Sequence, residues 1–589
     1  MECDMSVQET EANIIDALLM QGHIDVLDYE FARTINDIEP TPDCDDLKIW
    51  AALTSQWLQR GHVCLEADDD ALAQLTVKTP GASEPTVLTM PDLESLDRFA
   101  CVGSPGTFAP MTRSGNRLYL TRYWQYETCI SDGVKRRTAA AMPKEANATP
   151  DVDPLERFGT ETLSPEQAMA VRMAWQKRFS IITGGPGTGK TATVVKMLCG
   201  LLEHNPDLRF AIAAPTGKAA ARLDESIGSQ VGALACEEDV RDRLLDPNHR
   251  ASTLHRLLGT RPNSPYFRHD KDTPLPFDLV VVDEASMVDV ALMAKLMDAL
   301  PDTARLVLVG DKDQLASVEA GSVLGDLCAG VPDASITVLN TNFRAKDAPG
   351  IVSFARTFTS PEGPCIDAMH GFTGDAHSDI EWSTRSSADT DYQSEIASLV
   401  RSAWSGLATA DSPETAFSRF RQLQILAAVH EGPSGVTHLN KVAQDALGQP
   451  AHQLWYAGRP IMIIQNDYQL GLFNGDIGIA FREADRYFVW FESASGEHRR
   501  IAVNRLPAHV SAYAITIHKS QGTEAERVLM ILPDRDNPIL TRELVYTGAT
   551  RARRRLDVWA SQEILEAAIT RQTHRVSGLT MQLRSNDGT

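Results

Sequence analysis

The fold of this chain is decided by one stretch, Gly184-Gly185-Pro186-Gly187-Thr188-Gly189-Lys190-Thr191. The apolar run Phe179 to Thr183 before it predicts a strand, and Ala192 to Leu202 after it predicts a helix. A glycine-rich loop that joins a strand to a helix and ends in Lys and Thr is the pattern of a phosphate-binding loop. The glycines let backbone N–H groups face phosphate oxygens, and the helix N-terminus favours an anion.

The ligands that this loop predicts are ATP and Mg²⁺. Lys190 is expected to reach the β- and γ-phosphates, and the hydroxyl of Thr191 is expected to hold Mg²⁺. The alternative is a glycine-rich turn with a chance lysine. It does not account for a strand and a helix at the required positions.

Composition limits the possible functions. The chain has 589 residues, so several domains are expected, and its 43% apolar residues suffice for more than one core. The net charge of -23 argues against non-specific coating of DNA, so a path for DNA must be a local groove. The nine cysteines form no CxxC pair, which suits a reducing cytoplasm and predicts no zinc or iron–sulfur site. We find no secretory signal and no apolar run of membrane length.

Four regions are expected along the chain. Residues 1–105 are acidic and helical in pattern and predict a docking domain. Residues 106–154 form a connector, in which Arg117 to Trp124 alternates like a strand before a helix and 138–154 reads as a linker. A first motor domain is expected at 155–360 and a second at 361–589.

The first motor domain is predicted to contain a parallel sheet. Continuous β-branched runs of this kind belong to strands buried on both faces, and ligands bind at the carboxyl ends of such strands. The predicted strands after the phosphate loop are Phe210–Ala214, Leu279–Val282, Leu306–Val309 and Ile336–Leu339.

Polar residues follow these strands. Asp283 is placed to hold Mg²⁺ through water, and Glu284 to orient and deprotonate the attacking water. Gln314 is a candidate sensor of the γ-phosphate, with a polar turn as its alternative. Arg344 is a candidate γ-phosphate contact.

Gln167 has two interpretations, both of which stay open. Ser164 is a good N-cap and Pro165 suits the first helical position, so Gln167 stands where a capping box places its partner. It also resembles the glutamine with which many helicases read adenine.

Two loops of the first motor are candidates for contact with single-stranded DNA. Pro215 and Thr216 begin one, and His255 lies in the other, with packing against a helix as its alternative. The polar insertion between Gly259 and Phe277 predicts a short hairpin.

The second motor domain is expected to carry a small SH3-like β-barrel insertion at about 476–506. A strand is predicted at Leu423–Val429, and Asn474-Gly475 is a hairpin turn signal. The strands predicted for the insertion are Ile477–Phe481, Arg486–Glu492 and His498–Val503.

Arg551 is the candidate arginine finger of the second motor. A guanidinium stays charged and forks onto phosphate oxygens, and such a finger typically supplies about 10³–10⁵ in rate. The alternative for Arg551 to Arg555 is a solvated basic helix end, which suits Arg553 to Arg555 in particular.

Taken together, these stretches resemble the motifs of superfamily 1B helicases, and most closely those of the RecD family, the alpha subunit of exodeoxyribonuclease V. The shared motifs are Gly184–Thr191, Ala214–Ala220, Asp283–Met287, Gly310–Leu315, Phe343–Arg344, Tyr513–Glu524 and Tyr546–Ala552, with the closer phrases Leu163–Gln167, Leu254–Gly259, Leu472–Gly478 and Ile515–Glu524.

The resemblance implies an α/β fold with two RecA-like motor domains and a helical N-terminal domain. It also implies a motor that uses ATP and Mg²⁺ to move 5′-to-3′ on single-stranded DNA from duplex ends, in double-strand break repair, recombination and DNA degradation. The implied partners are RecB- and RecC-like subunits, with the nuclease in another subunit. Glu524 would then contact ATP, and Asn440, Thr516 and His518 would contact DNA.

Two other functions stay open. One is an ATPase switch that binds DNA without translocating. The other is a mainly structural subunit whose ATPase supports assembly of a complex.

Overall fold

The computed structural model describes residues 14–39, 44–140, 163–359 and 370–585, with short gaps at 69, 74, 78–85, 89, 233, 235, 262–263, 373–377, 450–452, 468 and 493–496. Two parallel sheets covered by helices dominate the described part of the chain. A mixed helical and β region precedes them, and an antiparallel sheet is inserted into the second. The predicted α/β class with two motor domains is confirmed.

The N-terminal region is helical first and then β. Trp50, Trp57 and Leu118 are among the buried side chains of its core. Its four-stranded sheet has the order β1-β6-β5-β4. The elements are α1 (Ile14–Met20), α2 (Val26–Asp37), α3 (Asp45–Gln59), β1 (Leu65–Glu66), α4 (Asp70–Ala73), β2 (Thr76–Val77), β3 (Thr86–Val87), a 3-10 helix (Leu93–Arg98), β4 (Val102–Gly103), β5 (Met111–Ser114), β6 (Arg117–Leu120) and α5 (Thr121–Ala139).

The strand predicted at Arg117 to Trp124 is present only in its first half. The chain turns into α5 at Thr121, because the second half of the segment packs its aromatic side chains, Tyr123 and Trp124, on the first motor instead of alternating across a sheet. The helix expected after it is confirmed. Of the predicted linker, only residues 138–140 are described.

The first motor is a six-stranded sheet with the order β12-β7-β11-β10-β8-β9, and every pairing in it is parallel. Its elements are α6 (Pro165–Gln176), β7 (Phe179–Gly184), α7 (Lys190–His204), β8 (Phe210–Ala214), α8 (Gly217–Val231), α9 (Glu238–Leu245), β9 (Ser252–Thr253), α10 (Leu254–Leu258), β10 (Leu279–Val282), α11 (Val290–Ala299), β11 (Arg305–Gly310), α12 (Val323–Gly330), β12 (Ile336–Leu339) and α13 (Pro349–Thr359). Short 3-10 helices lie at Pro247–His249, Ala285–Met287, Asp333–Ser335 and Phe343–Lys346.

The predicted parallel strands of the first motor are confirmed. Residues of β7, β8 and β10 are buried along their whole length, as continuous apolar runs require. Helices α6 and α7 cover one face of the sheet, and α5 and α11 cover the other. The hairpin expected between Gly259 and Phe277 is reduced, in the residues described there, to a single antiparallel bridge between Thr260 and Phe267.

The second motor is a five-stranded parallel sheet with the order β13-β22-β21-β14-β20. Its elements are a 3-10 helix (His370–Phe372), β13 (Ile380–Ser383), α14 (Tyr392–Trp404), α15 (Pro413–Phe420), β14 (Gln424–Ala427), α16 (Val436–Ala446), β15 (Pro460–Ile463), β16 (Ile477–Glu483), β17 (Arg486–Glu492), β18 (His498–Ala502), a 3-10 helix (Val503–Arg505), β19 (His509–Ser511), β20 (Ala514–Thr516), a 3-10 helix (His518–Ser520), β21 (Ala525–Ile531), α17 (Arg542–Ala549), β22 (Ala552–Trp559), α18 (Gln562–Thr570) and α19 (Leu579–Arg584).

The insertion is an antiparallel sheet with the order β18-β17-β16-β15-β19 and a small core of its own. It is wider than the predicted interval 476–506. Strands β15 and β19, which flank that interval in the sequence, pair with each other through Ile461 and Ser511 and complete the sheet. Strand β15 is apolar and buried along its length, but β19 (His509–Ser511) has a single apolar residue, so no local pattern predicts their pairing.

The chain ends by returning from the second motor to the first. We call residues 571–585 the C-terminal strap. The backbone of Val576 pairs with Val63, and the guanidinium of Arg575 donates to the carbonyl of Gly321 at 2.9 Å. Glu127 on α5 accepts from the Ser577 hydroxyl at 2.7 Å and from the backbone N–H of Gly578. The strap therefore joins the second motor to both preceding regions.

A substitution at Gly578 tests how tightly the C-terminal strap is packed. A Cβ at this position would collide with the Tyr119 hydroxyl and lie 3.0 Å from a Glu127 oxygen. We expect Gly578→Ala to lower stability by about 1–3 kcal/mol through overpacking. The matched control is Gly228→Ala in α8, where nothing lies within 4 Å, and a gain of about 0.5–1 kcal/mol is expected. Thermal unfolding measures both, and equal midpoints for the two variants would contradict this packing.

Candidate functional site

The phosphate loop joins β7, an inner strand of the first sheet, to α7. Gly187 and Gly189 have φ angles of +83° and +78°, which favour glycine. A Cβ on Gly184 would lie 2.8 Å from the carbonyl oxygen of Leu339 on the adjacent strand. The Lys190 ammonium donates to the carbonyls of Gly184 and Gly185 at 2.7 and 3.2 Å. The loop thus has the backbone geometry of an anion cradle, with Lys190 folded over it.

Gln167 has the capping geometry and also contacts the phosphate loop. Its side-chain oxygen accepts from the backbone N–H of Ser164 at 3.2 Å, and its backbone N–H donates to the Ser164 hydroxyl at 3.3 Å. The predicted capping box is therefore confirmed. The side-chain amide also donates to the carbonyl of Thr188 at 3.2 Å. Gln167 therefore stabilises the phosphate loop through this hydrogen bond. Adenine recognition by Gln167 stays a prediction.

Asp283 and Glu284 follow β10 directly, at the carboxyl end of the sheet. Partial burial and the neighbouring charge of Glu284 raise the pKa of Asp283 to about 6. The backbone N–H of Glu284 donates to the Asp283 carboxylate at 2.9 Å. Glu284 has a φ of +51°, a strained conformation for a residue with a Cβ. The backbone strain is located at the residue predicted to act on water.

A buried polar network joins the next strand end to the second motor. Asp311 accepts from the amide of Gln314 at 3.1 Å and from the Tyr546 hydroxyl at 3.0 Å, both on the same oxygen. Burial raises the pKa of Asp311, while Lys190 opposes that rise. Gln314 thus shares the Asp311 carboxylate with Tyr546 of α17 in the second motor.

Arg344 crosses to the second motor in this structure. Its guanidinium lies 2.7 Å from the Glu524 carboxylate, which also accepts from Arg553 at 2.8 Å. Burial alone would raise the pKa of Glu524, but Arg344 and Arg553 outweigh it and hold the pKa at about 2. The predicted phosphate contact and the predicted ATP contact are therefore paired with each other.

Arg551 is buried, with 5% of its surface exposed. Its guanidinium donates to the Thr547 carbonyl at 2.9 Å and to the Thr550 hydroxyl at 3.3 Å. Burial lowers the pKa of Arg551, and the nearby carboxylates of Glu284 and Glu524 counteract this. Arg551 of the second motor and Glu284 of the first are thus close enough for their charges to interact.

The cleft between the motors has a volume of about 160 Å³ and is lined by residues from both. Sequence patterns missed two of its residues. The amide of Asn342 donates to the Pro186 carbonyl at 3.0 Å, and Tyr546 touches the loop at Gly185. Their positions in the sequence are the signal that could have identified them. Asn342 follows β12, and Tyr546 lies in the same motif as Arg551.

The predicted DNA contacts lie at the ends of strands in both motors. Pro215 and Thr216 follow β8, and Thr216 caps α8 through the backbone N–H of Ala219. Thr516 ends β20, and His518 begins the 3-10 helix after it. Burial, aided by the positive charges of Arg575 and Lys519 and by His430, lowers the pKa of His518, which favours a neutral imidazole.

Two predicted DNA contacts have strong structural roles. The His255 ring packs edge-on against Phe267, which lies at a β-bridge and not in a helix, with centroids 5.7 Å apart. The Asn440 amide donates to the carbonyls of Val436 and Ala514 and accepts from the N–H groups of Tyr513 and Ala514. Asn440 therefore fastens α16 to β20, and DNA contact by either residue stays a prediction.

The insertion also reaches the first motor. A Cβ on Gly217 would lie 2.5 Å from the Phe473 ring, and the Lys218 ammonium donates to the Gly475 carbonyl at 3.1 Å. Lys519 of the second motor donates to the Asn474 side chain at 3.0 Å. The loop 472–476 thus bridges the two motors beside the predicted DNA contacts.

Among the residues that the structure describes, no group of three or more His, Cys, Asp or Glu side chains is arranged to hold a metal ion. No helix in the described ranges is long and apolar enough to cross a membrane.

Three family models match parts of the chain. The model of the N-terminal domain of the RecBCD enzyme subunit RecD matches residues 20–119. An AAA domain model matches residues 167–320, and a UvrD-like helicase C-terminal domain model matches residues 511–558.

Curated relatives are similar over nearly the whole chain. The RecBCD enzyme subunit RecD of Mycolicibacterium smegmatis is 36% identical over 585 residues, which cover 96% of this chain and 99% of the relative. The subunit RecD of Haemophilus influenzae is 35% identical, with 95% and 97% covered. The ATP-dependent RecD2 DNA helicase of Deinococcus radiodurans is 31% identical, with 91% of this chain and 68% of the relative covered.

The pair of Arg344 and Glu524 makes a testable contribution to stability. We expect Glu524→Gln to cost about 2–4 kcal/mol, because it leaves two guanidiniums without their shared carboxylate. The matched control is Glu526→Gln, which loses an ion pair with the exposed Arg554 at 2.9 Å and a longer one with Arg553 at 3.8 Å, and it should cost about 0–1 kcal/mol.

The effect of Glu524→Gln should not change between pH 6 and pH 8. The pKa of Glu524 is depressed from 4.5 to about 2, so the stabilisation is complete above pH 4.5 and is lost only as the pH falls toward 2. Thermal unfolding at both pH values measures the cost. A cost confined to pH 8 would rule out this pair as its source.

Proposed function

We propose that this chain, which belongs to the RecD family of RecBCD enzyme subunits, works as the ATP-dependent DNA helicase subunit of such a complex. The observation that carries this proposal is the cleft itself. It brings Gly184 and Gly185 of the phosphate loop in the first motor against Tyr546 and Thr550 of the second, the residue next to Arg551. ATP bound there would contact both motors, so its hydrolysis would change how they sit together.

The residues of the ATP site would have different roles in hydrolysis. The loop Gly184–Thr191 would bind the phosphates of ATP with its N–H groups, and Lys190 would exchange its carbonyl partners for phosphate oxygens. Glu284 would orient the attacking water and accept its proton. Arg551, whose charge interacts with that of Glu284, would stabilise the charge that develops on the phosphates.

Mg²⁺ fits the donor set at this site. Thr191 offers a hydroxyl and Asp283 a carboxylate, which are the oxygen ligands that Mg²⁺ prefers. When bound, the ion would neutralise phosphate charge. Gln314 and Arg344 are the candidate contacts for the γ-phosphate, and Gln167 and Glu524 are candidates for the rest of the nucleotide.

Translocation would follow from the position of the DNA contacts. Pro215, Thr216 and His255 belong to the first motor, and Asn440, Thr516 and His518 to the second. Closing and reopening the cleft would change the distance between these two sets, so that each cycle moves the strand. The 5′-to-3′ direction rests on the resemblance to superfamily 1B helicases.

The remaining parts of the proposal concern the complex. RecB- and RecC-like subunits are the expected partners, with the nuclease in another subunit and the N-terminal region as the docking surface. A cytoplasmic location agrees with the cysteines of the described residues, which are free thiols.

Strand displacement tests the proposed function. Wild-type protein is given duplexes with a 5′ or a 3′ single-stranded tail, and ATP-dependent unwinding is expected only from the 5′ tail. Lys190→Gln should lower ATP hydrolysis about 10²-fold or more and abolish unwinding. Lys177→Gln, which removes an ammonium outside the cleft, is the control.

The other outcomes of this test separate the alternatives. Unwinding by Lys190→Gln with ATP would overturn the proposal. DNA-stimulated hydrolysis without unwinding, by the chain alone and with its copurifying subunits, would favour an ATPase switch. Absence of both activities would favour a structural subunit.

Glu284→Gln isolates the proposed role of the base. Removing a general base typically costs about 10²–10⁴ in rate, so hydrolysis should fall by that factor. ATP binding should persist, because the phosphate loop is unchanged. Fluorescent ATP binding and phosphate release measure the two quantities. Hydrolysis at the wild-type rate would assign the role to another residue.

A further inference from the structure

Tyr546 is a second-motor residue that lies against the phosphate loop of the first. It is buried, with 5% of its surface exposed. A Cβ placed on Gly185 would lie 2.8 Å from the Tyr546 hydroxyl oxygen. The hydroxyl therefore sits at the loop backbone, where any shift between the motors would move it.

The Tyr546 hydroxyl shares its acceptor with Gln314. Both groups donate to one oxygen of Asp311, at 3.0 and 3.1 Å, while the other oxygen accepts the N–H of Asp313 at 3.1 Å. Asp311 is 1% exposed, so these donors replace the water that a carboxylate needs. A change at Gln314 thus alters the environment of the oxygen that holds Tyr546.

Neighbouring contacts fix the same helix to the same loop. The N–H of Leu315 donates to the Thr547 hydroxyl at 3.0 Å, and the Gln521 amide donates to the Leu315 carbonyl at 3.1 Å. Arg551 in turn donates to the Thr547 carbonyl. The line of contacts runs without a break from Gln314 to the candidate arginine finger.

We propose that Tyr546 is a positioning residue that links the loop Gly310–Leu315 to Arg551. Its hydroxyl holds α17 against Asp311, so that Arg551 is presented to the cleft only while Gln314 and Asp311 are in their working arrangement. This role rests on the proposed function. It adds the residue through which the arrangement of Gln314 and Asp311 in the first motor affects the position of Arg551 in the second.

Tyr546→Phe is the sharpest test, because it removes one hydroxyl and keeps the ring. The matched control is Tyr456→Phe. Tyr456 is also buried, and its hydroxyl accepts from Tyr513 at 3.3 Å inside the second half of the chain, away from the cleft. Both variants lose one buried hydroxyl contact, so their thermal unfolding should change alike.

Steady-state ATP hydrolysis by the full chain, with and without single-stranded DNA, gives the readout. We expect Tyr546→Phe to lower the DNA-stimulated kcat about tenfold, the effect of one hydrogen bond to a charged group, and to leave the KM for ATP within about twofold. Tyr456→Phe should match wild type in both. A loss of general packing would not produce this split.

A double-mutant cycle with Arg551→Lys tests the link to the finger. If Tyr546 acts through Arg551, the hydroxyl should matter little once the finger is changed, so the two effects on kcat should not multiply. Full multiplication of the two effects would overturn the positioning role.

Two further outcomes are decisive in different ways. Suppose that DNA stimulates hydrolysis by the wild-type chain and that Tyr546→Phe has the same kcat as Tyr456→Phe. This result would overturn the role of Tyr546 and leave the proposed function standing. If DNA does not stimulate ATP hydrolysis by the wild-type chain, the proposed function is overturned. The role of Tyr546 is then judged by whether Tyr546→Phe lowers the basal kcat for ATP hydrolysis about tenfold.

Discussion

The structure depends on buried carboxylates whose hydrogen-bond partners come from both motors. Glu524 of the second motor pairs with Arg553 of its own motor and with Arg344 of the first. Asp311 of the first motor accepts from Gln314 of its own motor and from Tyr546 of the second. Removing a carboxylate from water is costly unless it is paired and hydrogen-bonded. The closed arrangement of the cleft is therefore stabilised by contacts made at the places where ATP is expected to bind. Nucleotide phosphates would compete for the same cations, so binding and cleft geometry are linked by electrostatics alone.

The parallel sheets were predictable because their physical requirement is local. A central strand covered on both faces must be apolar along its length, and β8 and β10 show this in four or five consecutive residues. The position of Asp283 at the carboxyl end of such a strand follows from the same pattern. Strand β15 carries such an apolar run, but β19 does not, and their pairing joins residues about fifty positions apart, so the predicted insertion was too narrow.

Side-chain partners were less predictable than positions. Arg344 was expected at the cleft and lies there, but its partner Glu524 is 180 residues away, which no local spacing encodes. Asn440 shows the opposite case, because its position suggested a DNA contact while all its amide valences are used between α16 and β20. The roles of the site residues in binding ATP and DNA remain predictions.

Two connections outside the cleft constrain how the motors can separate. The C-terminal strap is held by backbone pairing at Val63 and by the Glu127 carboxylate, both deep in the structure. The insertion loop is held to the first motor by the Phe473 ring on Gly217 and by one bond from Lys218. Separating an aromatic ring from a glycine and breaking one hydrogen bond costs less than extracting a strap with buried polar contacts. Of these two connections, the strap therefore resists separation of the motors more strongly than the insertion loop does.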